Sequence, residues 1–168
     1  MELQRKIIIG SLLLLLGWQA TFALEKTYHK SYFPDGQLKA EGWLKNQLKT
    51  DFWIYYHPNG KIAAKGHYQE DTMHGYWHFY YAQGQLKKEG HFVWGSIENW
   101  WIFYELGSRK KSKFQYKNNQ KNGYCLRYVG NKLVLAEKYV ADKKVGEWSS
   151  VREFKKDNPD ISFRWIPL

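Results

Sequence analysis

An all-β fold, an elongated antiparallel sheet of about five tandem β-hairpins, is what the sequence predicts, and three observations predict it. First, an aromatic tooth recurs. Asp51-Phe52-Trp53-Ile54-Tyr55-Tyr56, Gly75-Tyr76-Trp77-His78-Phe79-Tyr80, Asn99-Trp100-Trp101-Ile102-Phe103-Tyr104 and Gly123-Tyr124-Cys125-Leu126-Arg127-Tyr128 follow at steps of 24 residues, and Gly146-Glu147-Trp148-Ser149-Ser150-Val151 comes 23 later. Second, Leu44, Tyr68, Phe92, Tyr116 and Tyr139 each stand 7 residues before a tooth, and turn glycines stand at Gly36, Gly60, Gly84, Gly107 and Gly130. Internal periods of roughly 20–50 residues mark arrays of stacked units. Third, the period inside a tooth is two. Trp77 and Phe79 fall on one side and Tyr76, His78 and Tyr80 on the other, and such aromatic richness favours strand over helix.

Taken in order, the first 23 residues have a separate role. Arg5 and Lys6 precede the apolar run from Ile7 to Gly17, and Thr21-Phe22-Ala23 then offers small residues, the order of a secretory signal peptide. The run is short of the ~20 apolar residues that span a bilayer. Cleavage is expected after Ala23, leaving a periplasmic or extracellular chain that starts at Leu24. The repeat array then occupies residues 24–154. Within each unit one strand, such as Lys61 to Tyr68, runs into a polar turn (Gln69-Glu70-Asp71-Thr72) and then into the tooth, which is a hairpin. Thr27 to Phe33 is expected to cap one end. No helical period appears between Glu25 and Val151. Units four and five carry one extra residue between the glycine and the aromatic, for which a β-bulge is expected. The tail, residues 155–168, alternates apolar and polar residues from Asp160 to Leu168 and predicts a capping strand.

Trp53, Trp77, Trp101 and Trp148 are expected to form a stacked structural spine, with Gly36, Gly60 and Gly84 as turn residues. Cys125 takes the slot of Trp in four of the five teeth, a small apolar substitute in the core, and as the only cysteine it forms no intramolecular disulfide. Glu41, Lys65 and Glu89 are spaced to alternate acid, base and acid across successive units.

Turn Gly, then Glu-Gly or Lys-Gly, an aromatic, a polar turn and Gly-x-Trp-x-x-Tyr resembles the bacterial variant of the MORN repeat. Gly36-Gln37-Leu38-Lys39-Ala40-Glu41-Gly42-Trp43, Gly60 through Tyr68 and Gly84 through Phe92 carry the likeness with the five teeth, over about Tyr28 to Phe154. It is sharp in units one to three and degraded in units four and five. The resemblance implies an elongated sheet of hairpins. Some bacterial proteins of this kind are labelled YwqK-type antitoxins, and other MORN proteins are described as scaffolds or lipid binders.

No Ser/His/Asp triad, phosphate-cradling loop or supported pair of carboxylates is visible, so the expectation is a non-enzymatic module without cofactor or metal. His57, His67, His74, His78 and His91 cluster in units two and three, but their spacing matches no familiar zinc motif. His67 and His91 are placed to face each other on adjacent hairpins. The formal net charge of +10 permits anionic partners without naming one. Tyr56, Tyr80, Tyr104 and Tyr128 fall opposite the tryptophans and, with the non-recurring His78, are the candidate partner-binding residues. The expected partner is a protein or an envelope component; a toxin or an anionic lipid or glycan surface is the alternative, and nucleic acid is not expected.

Overall fold

The structure is a computed structural model that describes residues 25–161. The expected signal peptide and residues 162–168 of the expected capping strand lie outside the described residues. Eleven strands form one antiparallel sheet in strict chain order. They are β1 (Lys26–Tyr32), β2 (Leu38–Lys45), β3 (Leu48–Tyr56), β4 (Ile62–Gln69), β5 (Thr72–Tyr80), β6 (Leu86–Val93), β7 (Ser96–Tyr104), β8 (Lys110–Lys117), β9 (Gln120–Val129), β10 (Lys132–Val140) and β11 (Lys143–Trp148). Strands β2 to β11 make the five expected hairpins, and β1 covers the edge of the first. Among the described residues no helix is long and apolar enough to cross a membrane.

Every unit turns through two residues in the left-handed region, from Asn46 and Gln47 (φ 55° and 67°) to Ala141 and Asp142 (φ 47° and 64°). Two such residues in succession give the turn whose twist matches that of the flanking strands. These tips also stitch the units together. The Asp71 backbone N–H donates to the Lys49 carbonyl at 3.0 Å while its carboxylate accepts the Lys49 N–H at 2.7 Å. Asn119 repeats the clasp on Ile97, and Asp142 on Lys121. A short acid or amide at the second turn position therefore satisfies the backbone of the preceding unit as well as its own turn.

Two extra residues occur in two different ways. In units one to three the turn between units closes from residue i to i+4, as in Tyr81 N–H to the Gln85 carbonyl, whereas Glu105 N–H reaches the Lys110 carbonyl. Unit four thus takes its extra residue in the turn, and β7 pairs with β8 without a register shift. Only unit five uses the expected bulge, at Val134 between Leu133 and Leu135.

The first residue of each of the first four teeth is left-handed (Asp51 φ 55°, Gly75 φ 70°, Asn99 φ 61°, Gly123 φ 119°) and sits inside its strand as part of a bulge, not at the strand's start. The bulge adds two residues in units one to four but one in unit five, where Lys138 faces Gly146 and Tyr139 faces Lys144. A one-residue slip moves every later side chain to the other face. Trp148 accordingly leaves the spine: it faces Ala136, not the residue at the glycine position, and packs on the opposite side.

What it packs on is a helix that the sequence did not predict, α1 (Val151–Asp157). Ser150 caps it by accepting the Glu153 N–H, and Glu153 reaches back to the Ser149 N–H at 3.1 Å, a reciprocal capping arrangement. Phe154 inserts among Leu126, Tyr128 and Ala136, with Trp148 at 5.1 Å edge-on, and Trp148 Nε1 donates to Asp157 at 2.8 Å. Phe154→Ala should release this helix at a loss of about 3 kcal/mol. Hydrogen exchange is the check, with amides of α1 deprotected while those of β3 to β7 keep their protection.

Candidate functional site

The two faces of the sheet have different chemistry. On the first, tryptophan and glycine alternate from strand to strand. Gly42, Trp53, Gly66, Trp77, Gly90 and Trp101 lie in one row across β2 to β7. Each indole lies flat over the glycine of its own hairpin, so close that a Cβ built on Gly66 would stand 2.3 Å from the Trp77 ring. Trp53, Trp77 and Trp101 each donate Nε1–H to a carbonyl, of Trp43, His67 and His91 respectively, at 3.0 Å. Tyr55, Tyr68, Phe79, Phe92, Phe103, Phe114 and Tyr116 fill the gaps between them in an unbroken aromatic ladder. Trp77 is wholly buried although, among the described residues, no second layer covers this face of the sheet; neighbouring rings and glycines enclose it. Trp53, Trp77 and Trp101 thus lie in one row with other rings packed between them.

The ladder ends at a polar plug. Phe114 stands where earlier units have glycine, opposite Cys125, and Glu137 follows in the same row. Glu137 is 3% exposed. It accepts from Arg127 Nε at 2.8 Å and lies 3.4 Å from Lys144 Nζ. Burial raises its pKa, but the hydrogen bonds from Arg127, Cys125 and Lys144 outweigh it, and the carboxyl ends below its ordinary value. Burial, then the bond to Glu137, pushes the thiol of the fully buried Cys125 up to about 12, which favours the neutral thiol. A carboxyl with a lower pKa folded than unfolded binds fewer protons when folded. Its contribution is complete above the unfolded value near 4.5 and is lost as pH falls. Thermal midpoints should therefore drop from about pH 5 downward, and Glu137→Gln should flatten that drop while lowering neutral stability by about 2 kcal/mol.

The second face carries Tyr56, Tyr80 and Tyr104. Its central row reads, strand by strand, Lys30, Glu41, Ile54, Lys65, His78, Glu89, Ile102 and Lys113. The order base, acid, isoleucine, lysine thus occurs twice, 48 residues apart. Glu41, Lys65 and Glu89 do not touch as a ladder. A repeat is two strands wide, about 10 Å, and Ile54 and His78 stand between them. Instead each acid has its own cluster. Tyr56 donates to Glu41 at 2.6 Å with Lys30 at 3.6 Å; Tyr104 donates to Glu89 at 2.7 Å with His78 Nε2 at 3.4 Å. His78 is the counterpart of Lys30, so its singularity belongs to a double unit. Burial and then the Glu41 acceptor push the Tyr56 phenol up to about 12, and the Tyr56 hydrogen bond holds Glu41 below the usual carboxylate range.

Tyr128 departs from its candidate role: it is 3% exposed beneath Phe154. His67 and His91 do not face each other; they meet Phe52 and Tyr76 edge-on at 5.1 and 4.9 Å. Among the described residues no group of three His, Cys, Asp or Glu side chains is placed to hold a metal ion. Other rings of this face are more accessible, among them Tyr28 (49% exposed), Trp43 (40%), Phe52 (39%) and Tyr76 (37%). They line a row beside the charged one, and the sequence signal for them was the 24-residue spacing of Tyr28, Phe52 and Tyr76.

The MORN repeat variant model matches residues 26–46, 53–70 and 73–93, which are β1 with β2, the end of β3 with β4 and nearly all of β5 with β6, and which hold Gly42, Trp53, Gly66, Trp77 and Gly90 of the row. Residues 26–93 thus carry MORN repeats. The matches end at residue 93, before Trp101 and well before Phe114 and Cys125, where the glycine-tryptophan pair is replaced. MORN repeats are in general protein- or membrane-binding modules, non-catalytic as a family. No curated protein matches the chain.

Proposed function

We propose that this protein is an exported, non-enzymatic module that binds a protein or an envelope component on its tyrosine face, over β1 to β7. The observation that carries the reading is that this face is covered at one end and open at the other. Over β9 and β10 the α1 helix buries Leu126 and Tyr128 through Phe154, whereas over β1 to β7 the same face presents Tyr28, Trp43, Phe52 and Tyr76 beside the charged row. Aromatic side chains that are half exposed and already held by neighbours lose little entropy on binding and dominate interface energies.

Trp43→Ser combined with Tyr76→Ser tests the face. Capture of envelope components by the full chain should fall about tenfold while the melting midpoint is retained; equal capture by both proteins rejects the reading. Export is proposed from residues 1–23 and is tested separately. N-terminal sequencing of protein from producing cells should begin at Leu24, and a start at Met1 removes it.

A further inference from the structure

The repeat supplies its own control for a second site, on the ladder face. Lys49, Tyr55 and Tyr68 stand 24 residues before Met73, Phe79 and Phe92, and the two sets pack alike. Tyr68 meets Trp77 at 5.1 Å and Phe92 meets Trp101 at 5.0 Å; Tyr55 lies 6.3 Å from Trp77 and Phe79 6.1 Å from Trp101. The fold is therefore served by methionine and phenylalanine, and the ammonium and two phenols are additions to it. They are joined: Lys49 Nζ donates to Tyr55 Oη and Tyr55 Oη to Tyr68 Oη, each at 3.0 Å.

These additions border a groove of about 760 Å³ floored by Ala40, Leu44 and Trp53. Its origin is legible. In β1, His29 and Ser31 stand 24 residues before Trp53 and Tyr55, so a smaller imidazole, 6.2 Å from the Trp53 ring, replaces the next indole and a serine the next phenol, which leaves the place open among the described residues. The groove is within the range of small-molecule sites, about 300–1,000 Å³. Lys39 and Lys49 bring two positive charges to its wall and Asp71 one negative charge, which leaves a balance suited to a monoanion. Asp71 is moreover committed to the backbone of Lys49. An open groove with an apolar floor, hydroxyl and imidazole partners and one net positive charge suits a sugar acid.

We propose that this groove binds a single hexuronate-type sugar residue, its carboxylate toward Lys39 and Lys49, its ring over Ala40 and its hydroxyls toward Tyr55, Tyr68 and Ser31. The site lies on the face opposite the tyrosine face and stands or falls independently of the docking function.

The test is a titration of the full chain with glucuronate, with methyl glucoside and with inorganic phosphate, followed by amide NMR shifts. A triple variant, Lys49→Met, Tyr55→Phe and Tyr68→Phe, takes the residues of the next unit and so retains its packing. Saturable shifts with glucuronate, at least about tenfold weaker binding of the neutral glucoside, and a similar loss in the variant at an unchanged melting midpoint bear the proposal out. Absence of saturable glucuronate binding, equal binding by the variant, or phosphate binding as strong as glucuronate overturns it.

Discussion

Gly66→Val is expected to leave the second unit without a stable fold, a loss of more than about 4 kcal/mol. The reason is contact, not backbone conformation. Gly66 has an ordinary extended backbone, but three atoms of the Trp77 ring lie 2.3 to 2.5 Å from where a Cβ would stand. The ring has nowhere to retreat, since Tyr68 and Phe79 pack against it and its Nε1–H is bound to the His67 carbonyl. Gly36→Ala is the contrast. Nothing stands within 4 Å of that site, and only the strain of its φ of 84° remains, about 1 kcal/mol. Urea titration followed by tryptophan fluorescence separates the two. Because each unit in an array leans mainly on its neighbours, hydrogen exchange should show Gly66→Val deprotecting β3 to β6 while β9 and β10 keep protection. Midpoints for the two variants that agree would show that the indole does not rest on the glycine.

The same spacing explains how much of the molecule the sequence disclosed. A period of 24 with an internal period of two fixes strand, hairpin and face wherever the bulge adds an even number of residues. Trp53, Trp77 and Trp101 were readable for that reason. Trp148 was not, because its face depends on whether the bulge carries one residue or two, and that is decided by whether the first tooth residue turns left-handed. Spacing carried no trace of this change: Tyr139 stands 9 residues before Trp148, as Tyr116 does before Cys125. Helix α1 follows from it: once Trp148 faces the tyrosine side, Phe154 has a partner there, and a segment of only seven residues gains a reason to be helical that its own periodicity does not supply. Tyr128 is buried by that helix and by nothing local. On the tyrosine face the candidate residues were placed on the correct side by parity, but the alternation of Ile54 and His78 between the charged residues needed the strand pairing to be seen.

Unit four offers a way to measure the ladder's central contact. There the ring has changed strands: Phe114 occupies the glycine position and Cys125 the tryptophan position, directly opposite. Cys125→Trp alone would drive an indole into the Phe114 ring, and a loss of about 3 kcal/mol is expected from overpacking. Phe114→Gly alone would leave a gap beside Phe103 and Tyr116, which flank Phe114 at 5.5 and 6.3 Å, with a loss of about 4 kcal/mol. Made together, the two substitutions restore the pair found in units one to three and should cost about 4 kcal/mol instead of the sum. The expected coupling is then about 3 kcal/mol, large for a single pair. Part of the remaining loss is the thiol's hydrogen bond to Glu137 and part is Arg127, which lies 5.9 Å from the Phe114 ring and would lose that contact. Denaturant midpoints of the four proteins complete the cycle. Strictly additive losses would mean that glycine and tryptophan occur together for separate reasons, with the ring free to lie elsewhere; strong coupling would identify the pair as the unit of packing that lets a single open sheet bury its tryptophans.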